Sequence, residues 1–347
     1  MKKSFLTIVA LGTMLASCSN DETLDVTARE AITFDRVFVE NATRAIDNSY
    51  PKTELKSFHV YGTITNSQNQ TANLFNKELV TKGANNEWGY NEANTQYWIP
   101  GNTYHFTAIA DGNISLENNA IVTQVETGTN GMPTKVHLQD ASHQKDILYA
   151  VSEPITYESG AKTVGFTFNH LLAKAKFTVK NEISTNNGYS YKVNNVRITN
   201  AYAFATYTIG TGWGSQGGNY SLSFGNIAAT SIGVLGNPNI GADATHIKYG
   251  GSAESNFEKL LIPFENGTIN ISFTSQLYKD NVLIQTKVET ITANNITLAA
   301  GNAYNFVIKL GNPGEPIQFT VDKINDWNTD INKDGDTNEN DDVNVNN

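Results

Sequence analysis

Cysteine occurs once in 347 residues, at position 18. No disulfide can form within one chain, so stability must come from burial. Walker A, H-E-x-x-H and paired-cysteine patterns are absent as well. The common signatures of nucleotide, metalloprotease and zinc chemistry go with them. Long apolar runs are scarce: residues 5–16, "FLTIVALGTMLA", are too short to span a bilayer as a helix, and no later segment is apolar enough. Basic residues are outnumbered, 24 against 34 acidic, for a net charge of −10. That balance argues against nucleic acid as a partner. Six histidines are scattered at 59, 105, 137, 143, 170 and 246. His59, His105 and His170 lie in strand-like runs and read as sheet residues. "GWGSQG" (212–217) satisfies G-x-G-x-x-G but leads into a strand-like run, so it fits a hairpin loop better than a phosphate cradle.

What is present starts at the N-terminus. Lys2 and Lys3 precede the apolar run, and Leu15, Ala16 and Ser17 lead into Cys18. The arrangement resembles a bacterial lipobox: a signal peptide over 1–17, then a thiol to carry lipid. A triacylated Cys18 would hold the chain on the outer membrane without a transmembrane helix. Ser19, Asn20, Asp21 and Glu22 resemble the surface-export signal of anaerobic Gram-negative lipoproteins. Residues 18–29 would equally serve as a solvated, lipidated tether.

The rest is rich in Asn, Thr, Gly, Tyr and Phe, a composition of β-sheet with polar turns. Apolar residues recur with period 2, as in Phe58-Val60, Val164-Phe166-Phe168, Ala175-Phe177-Val179, Ile269-Ile271-Phe273 and Tyr304-Phe306-Ile308-Leu310. Turn signals such as "NSQNQ" (66–70) and "STNNG" (184–188) separate these runs. Short strands at this spacing predict an all-β fold of β-sandwiches. The 330 residues from Cys18 onward suggest two domains. "PGNTYHF" (100–106) and "AGNAYNF" (300–306) share Gly-Asn-x-Tyr-x-Phe, an internal echo in which a turn feeds a strand.

Taken in order, "EAITFDRVFVENATRA" (30–45), "FHVYG" (58–62), "YWIPGNTYHFTAIA" (97–110), "VGFTFNHLLAKAKFTV" (164–179), "LAAGNAYNFVIKL" (298–310) and "IQFTVDKINDW" (317–327) resemble the fimbrillin family. These are the Mfa-like subunits of type V pili in anaerobic Gram-negative bacteria. The resemblance implies two tandem β-sandwich domains of Greek-key, transthyretin-like type, set here at 30–158 and 159–329, and no enzymatic activity. It also implies assembly with other fimbrillin subunits. A protease would cut after an arginine and remove the first strand, and a strand of the next subunit would fill the groove. Arg44, in "NATRAI", sits where that cut would fall. Residues 30–40 would be the removable strand, with Ile32 and Phe34, then Val37 and Val39, facing inward. Shaft subunits of the family carry extra donor strands after the second domain. Here an acidic tail, 330–347, follows instead, so either Val343 and Val345 donate or the subunit only accepts.

The tail carries five Asp and one Glu against one Lys, or −5. Asp330, Asn332, Asp334, Gly335, Asn338 and Asp341 occupy positions 1, 3, 5, 6, 9 and 12 of a calcium loop, with the Asp336 carbonyl at position 7. Thr337 replaces the usual aliphatic residue at position 8, and no flanking helices are predicted. Trp213, in the Gly-rich stretch, offers an indole that could stack on a sugar or pack on its own hairpin. Two further function classes therefore stand beside the pilus subunit: a surface glycan-binding lipoprotein, and a hydrolase whose residues meet only in space.

Overall fold

The computed structural model describes residues 29–39, 55–85, 87–110, 122–138, 141–183, 188–224, 233–235, 246–249, 259–324 and 343–344. These are all-β, relieved only by single 3-10 turns at Glu92–Asn94 and Ala141–His143. No helix among the described residues is long and apolar enough to cross a membrane.

In chain order, β1 is Thr33–Val39, β2 Ser57–Thr65, β3 Thr71–Lys82, β4 Trp88–Gly89 and β5 Asn102–Ala110. Then β6 (Val122–Thr127) and β7 (Pro133–Leu138) leave for another sheet, and β8 (Leu148–Val151), β9 (Ile155–Tyr157) and β10 (Thr163–His170) return. Pairing runs β2-β3-β4-β1-β10-β8-β5, and β5 pairs back onto β2. The seven strands thus form a closed ring, with β9 attached to β5. Closure leaves far less open edge than the expected sandwich would have, the thin place being the short β4 pairings. The period-2 patterning sets its lining: in β10, Val164, Phe166, Phe168 and His170 are buried, and Thr163, Gly165, Thr167 and Asn169 are exposed. Phe58, Phe75, Tyr104, Phe106, Phe166 and Phe168 meet inside.

The remaining strands are β11 (Ala173–Asn181), β12 (Tyr189–Thr208), β13 (Gly212–Ser223), β14 (Gly233–Leu235), β15 (His246–Tyr249), β16 (Lys259–Leu261), β17 (Phe264–Lys279), β18 (Val282–Leu298), β19 (Ala303–Leu310), β20 (Gln318–Ile324) and β21 (Val343–Asn344). One sheet runs β15-β11-β19-β20-β21, with β16 beside β11; the other runs β18-β17-β12-β7-β6, with β13 and β14 beside β12. A single core joins them, lined by Phe177, Phe306 and Phe319 from the first and Phe224, Ile271 and Phe273 from the second. The division expected near residue 158 is crossed both ways: β10, beyond it, closes the ring, and β6 and β7, before it, join β12. Periodicity identifies strands and their faces, whereas partners distant in sequence are chosen by tertiary packing.

The Gly-Asn-x-Tyr echo is a real structural repeat. Gly101 and Gly301 both take positive φ, 76° and 70°, the left-handed turn a side chain disfavours. Asn102 Nδ2 donates to the Pro100 carbonyl at 3.3 Å, and Asn302 Nδ2 to that of Ala300 at 3.0 Å. Tyr104 Oη then accepts from the Ile99 N–H at 2.6 Å, and Tyr304 Oη from Ala299 N–H at 2.7 Å. Each tyrosine thus reaches back five residues, pinning the chain's entry into β5 and β19. Burial raises both phenols above their usual pKa, and the backbone N–H bond works weakly the other way.

A candidate strand-exchange site

β1 is the strand whose removal would open the ring. It runs parallel to β10, with Thr33 opposite Thr163, Phe34 opposite Val164, Val37 opposite Phe166 and Val39 opposite Phe168. The register shifts between Phe34 and Val37. Strict alternation from Ile32 and Phe34 would place positions 36 and 38 on the inner face. The bulge restores phase, so that Val37 and Val39 pack on the ring core instead.

The opposite edge of β1 is held far more lightly. Upstream, Ile32 N–H donates to the Gln96 carbonyl at 2.8 Å and Trp98 N–H to that of Glu30 at 2.9 Å. With β4 there is one pair, Phe34 with Trp88. Past Phe34, no ladder continues on that edge among the described residues. Tyr90 fastens the seam: its hydroxyl donates to the Ile32 carbonyl at 2.9 Å and accepts from Gln96 N–H at 3.2 Å. Burial pushes this phenol above its ordinary pKa, so it stays a neutral donor at physiological pH.

Side chains compensate for the thin ladder. Ile32 is fully buried and Phe34 only 4% exposed. The Phe34 ring stacks on Phe166 at 6.0 Å and meets Phe58, Phe75, Tyr90 and Phe106 within 6.3 Å between centroids. Beside them Trp98 stacks on Tyr157 at 5.3 Å, and its indole N–H donates to the Lys162 carbonyl. One phenylalanine of β1 thus sits at the junction of five rings.

Other residues singled out in the sequence fall elsewhere. Cys18, Arg44 and the calcium-loop positions Asp330, Asn332, Asp334, Asp336, Asn338 and Asp341 lie outside the described residues. Among the described residues, no group of three or more His, Cys, Asp or Glu is placed to hold a metal. Residues 212–217 are not a loop: they form the start of β13. Trp213 is not a free platform, since its indole N–H donates to the Leu171 carbonyl and its ring meets Tyr207 at 5.4 Å. Tyr90 and β10, which hold the first strand, carry no sequence signal for that role, because it arises from partners far away in the chain.

At the other end, Val343–Asn344 pairs antiparallel with Thr320 and Val321 of β20. The apolar Val343 therefore lies on the chain's own sheet edge.

A family model described as fimbrillin-like matches residues 43–327. The fold is similar to a fimbrial protein from Bacteroides vulgatus, at 16% identity and TM-score 0.63, over 85% of this chain and 99% of that one. It is also similar to a candidate cell adhesion protein from Bacteroides ovatus, at 14% identity and TM-score 0.50, over 86% and 98%. A comparison with curated proteins finds no match. With most of its length matched by one family model, the chain belongs to the fimbrillin-like family.

Proposed function

We propose that this protein is a lipid-anchored subunit of a surface fimbrium that joins its neighbours by strand exchange and mediates adhesion, without catalysis. The observation that carries this reading is β1. It completes a closed ring, fills its centre with Phe34, and hydrogen-bonds along one full edge only. In exchange, β1 leaves after proteolysis behind it, and a neighbour's strand takes over the β10 ladder and the five-ring pocket. The ring serves as a first sandwich-like domain whose edges have joined, followed by a second domain of two packed sheets. If Val343 and Val345 donate, the two-residue pairing of Val343–Asn344 with β20 must first open. The test is limited trypsin treatment of the purified protein, followed by gel analysis. SDS-resistant multimers are expected, and a protein that stays monomeric after β1 is cut off would overturn strand exchange.

Anchoring rests on Cys18. The thiol takes the diacylglyceryl group, so Cys18→Ala is expected to leave the protein unprocessed or soluble, with radiolabelled palmitate incorporation lost. Label retained by the variant would exclude Cys18 as the lipid-bearing residue.

The acidic tail is the remaining cofactor question. If Asp330, Asn332, Asp334, Asp336, Asn338 and Asp341 ligate calcium, binding relieves the repulsion among them. A single loop without flanking helices should bind in the extracellular range, about 10⁻⁴ to 10⁻³ M. Calorimetric titration should show heat at millimolar calcium that disappears in the Asp330→Ala, Asp334→Ala double variant. Absence of heat would reduce the tail to a solvated end.

A further inference from the structure

Away from the seam, the outer face of the β6-β7-β12-β13 sheet carries an unusual surface. Registers place Gln124, His137, Thr206 and Gly214 in one row across the four strands. Phe204 stands beside that row, 45% exposed, although it lies mid-strand. Its ring rests on Gly217 and Gly218: a Cβ built on either would lie 2.6 or 2.9 Å from a ring carbon. The two glycines therefore seat the ring against the strand and leave its other face to solvent. Gln124, His137, Leu138, Phe204, Ala205 and Thr206 line an open cleft of about 420 Å³.

The polar side of this cleft is held in place. His137 Nε2 lies 2.7 Å from Glu126 Oε1, and its Nδ1 lies 3.1 Å from Thr206 Oγ1. Lys135 Nζ approaches Glu126 Oε2 at 2.9 Å. The lysine and histidine hydrogen bonds together hold the Glu126 carboxyl below its usual pKa, so it stays ionised and its charge is met locally by Lys135. The surface is thus rigid, nearly neutral and rich in hydrogen-bonding groups around one aromatic face.

Beside Phe204 a peptide strand finds no open backbone edge to join. Over Phe204–Thr208, β12 already pairs with β13 on one side and, from Ala205 to Thr208, with β7 on the other. A strand adds only at an edge with open backbone groups. Recognition on this face must come from side chains. A flat ring flanked by amide, imidazole and hydroxyl groups, repeated at the strand spacing of about 4.8 Å, suits a ligand with an apolar C–H face and hydroxyls around its rim. We propose that this face is a subsite for a neutral oligosaccharide, with one pyranose stacked on Phe204 and its hydroxyls bonded by Gln124 and by Thr206, whose hydroxyl His137 orients. This site goes beyond the assembly reading and does not depend on it, because it shares no residue with the ring seam.

The test titrates maltotriose, cellotriose and chitotriose separately into the intact protein, observed by saturation transfer and by amide shifts in the β6-β7-β12-β13 sheet. At least one should bind, with shifts at Gln124, His137 and Thr206. Phe204→Ala should weaken that binding about 10-fold or more, the loss of about 1.4 kcal/mol that stacking on one ring supplies, without changing the melting temperature. Phe204→Tyr should retain it, and Gln124→Ala should weaken it less. Failure of all three sugars to bind, or equal binding by Phe204→Ala, would overturn the subsite. Neither result would touch multimer formation after trypsin, so the two readings fail separately.

Discussion

Phe34→Ala is expected to destabilise the protein by about 3–5 kcal/mol, the range for deleting a fully buried phenylalanine. Phe34 meets five aromatic rings at the centre of the ring core, and a close-packed interior refills such a space only in part. Against a typical total of about 5–15 kcal/mol, that loss is severe. Urea unfolding should show a midpoint shifted well down at an unchanged slope. Ile32→Val, which removes one methylene from an equally buried site, should cost about 0.5–1.5 kcal/mol and serves as the scale. A Phe34→Ala loss below about 1 kcal/mol would mean that the ring core does not need β1, and the seam would then have no energetic meaning.

Arg44→Ala should abolish the multimers induced by an arginine-specific protease, which, unlike trypsin, cannot cut the same stretch after Lys52, while leaving the melting temperature of the uncleaved protein unchanged. Arg44 falls between the end of β1 at Val39 and Leu55, on the stretch that ties the first strand to the rest. Cutting there leaves β1 held by its ladder and side chains alone, and the thin side of that ladder decides how readily it exchanges. Two other arginines lie close by. Arg36 is within β1, at the register shift between Phe34 and Val37, and Arg29 precedes the strand. Sequencing the new N-terminus separates the three. The processed chain should begin at Ala45; a start at Val37 would place the cut after Arg36, and a start at Glu30 would place it after Arg29. Multimers formed equally by the Arg44→Ala variant would exclude Arg44 as the switch.

Much of this architecture was legible in the sequence, and the limits are instructive. The alternation of Val164, Phe166 and Phe168, and of Ala175, Phe177 and Val179, specifies strands and their core faces, and both hold. The shared Gly-Asn-x-Tyr motif marks a repeated turn because each residue in it has a local job. Alternation says nothing of what covers the other face: Lys174 and Lys176, which alternate with the core positions, are 7% and 1% exposed. Their long stems tolerate such burial, and both residues keep an interaction partner. The ring was illegible for a different reason. It needs β1 to pair with β10 across more than a hundred residues, and β5 with β2, and no short-range pattern encodes either choice. The seam shows both limits at once: Ile32 and Phe34 are readable as inward, but the bulge that re-phases Val37 and Val39 appears only in the register with β10. Phe204 carries no sequence signal, because exposure of an aromatic depends on the glycines opposite it.

The excursion of β6 and β7 has a mechanical meaning. This hairpin leaves the ring and is laid into the neighbouring sheet, where β7 pairs with β12 from Ala205 to Thr208, while Val136 packs against Tyr61 and Ile109 of the ring. The direct link between ring and sheets, Leu171 and Leu172, is two residues long and buried. A filament built from such subunits would not stretch at a slack tether when pulled by flow. Tension would load a four-pair ladder and an apolar contact together, so the joint behaves as a stiff coupling whose failure requires several bonds to break at once.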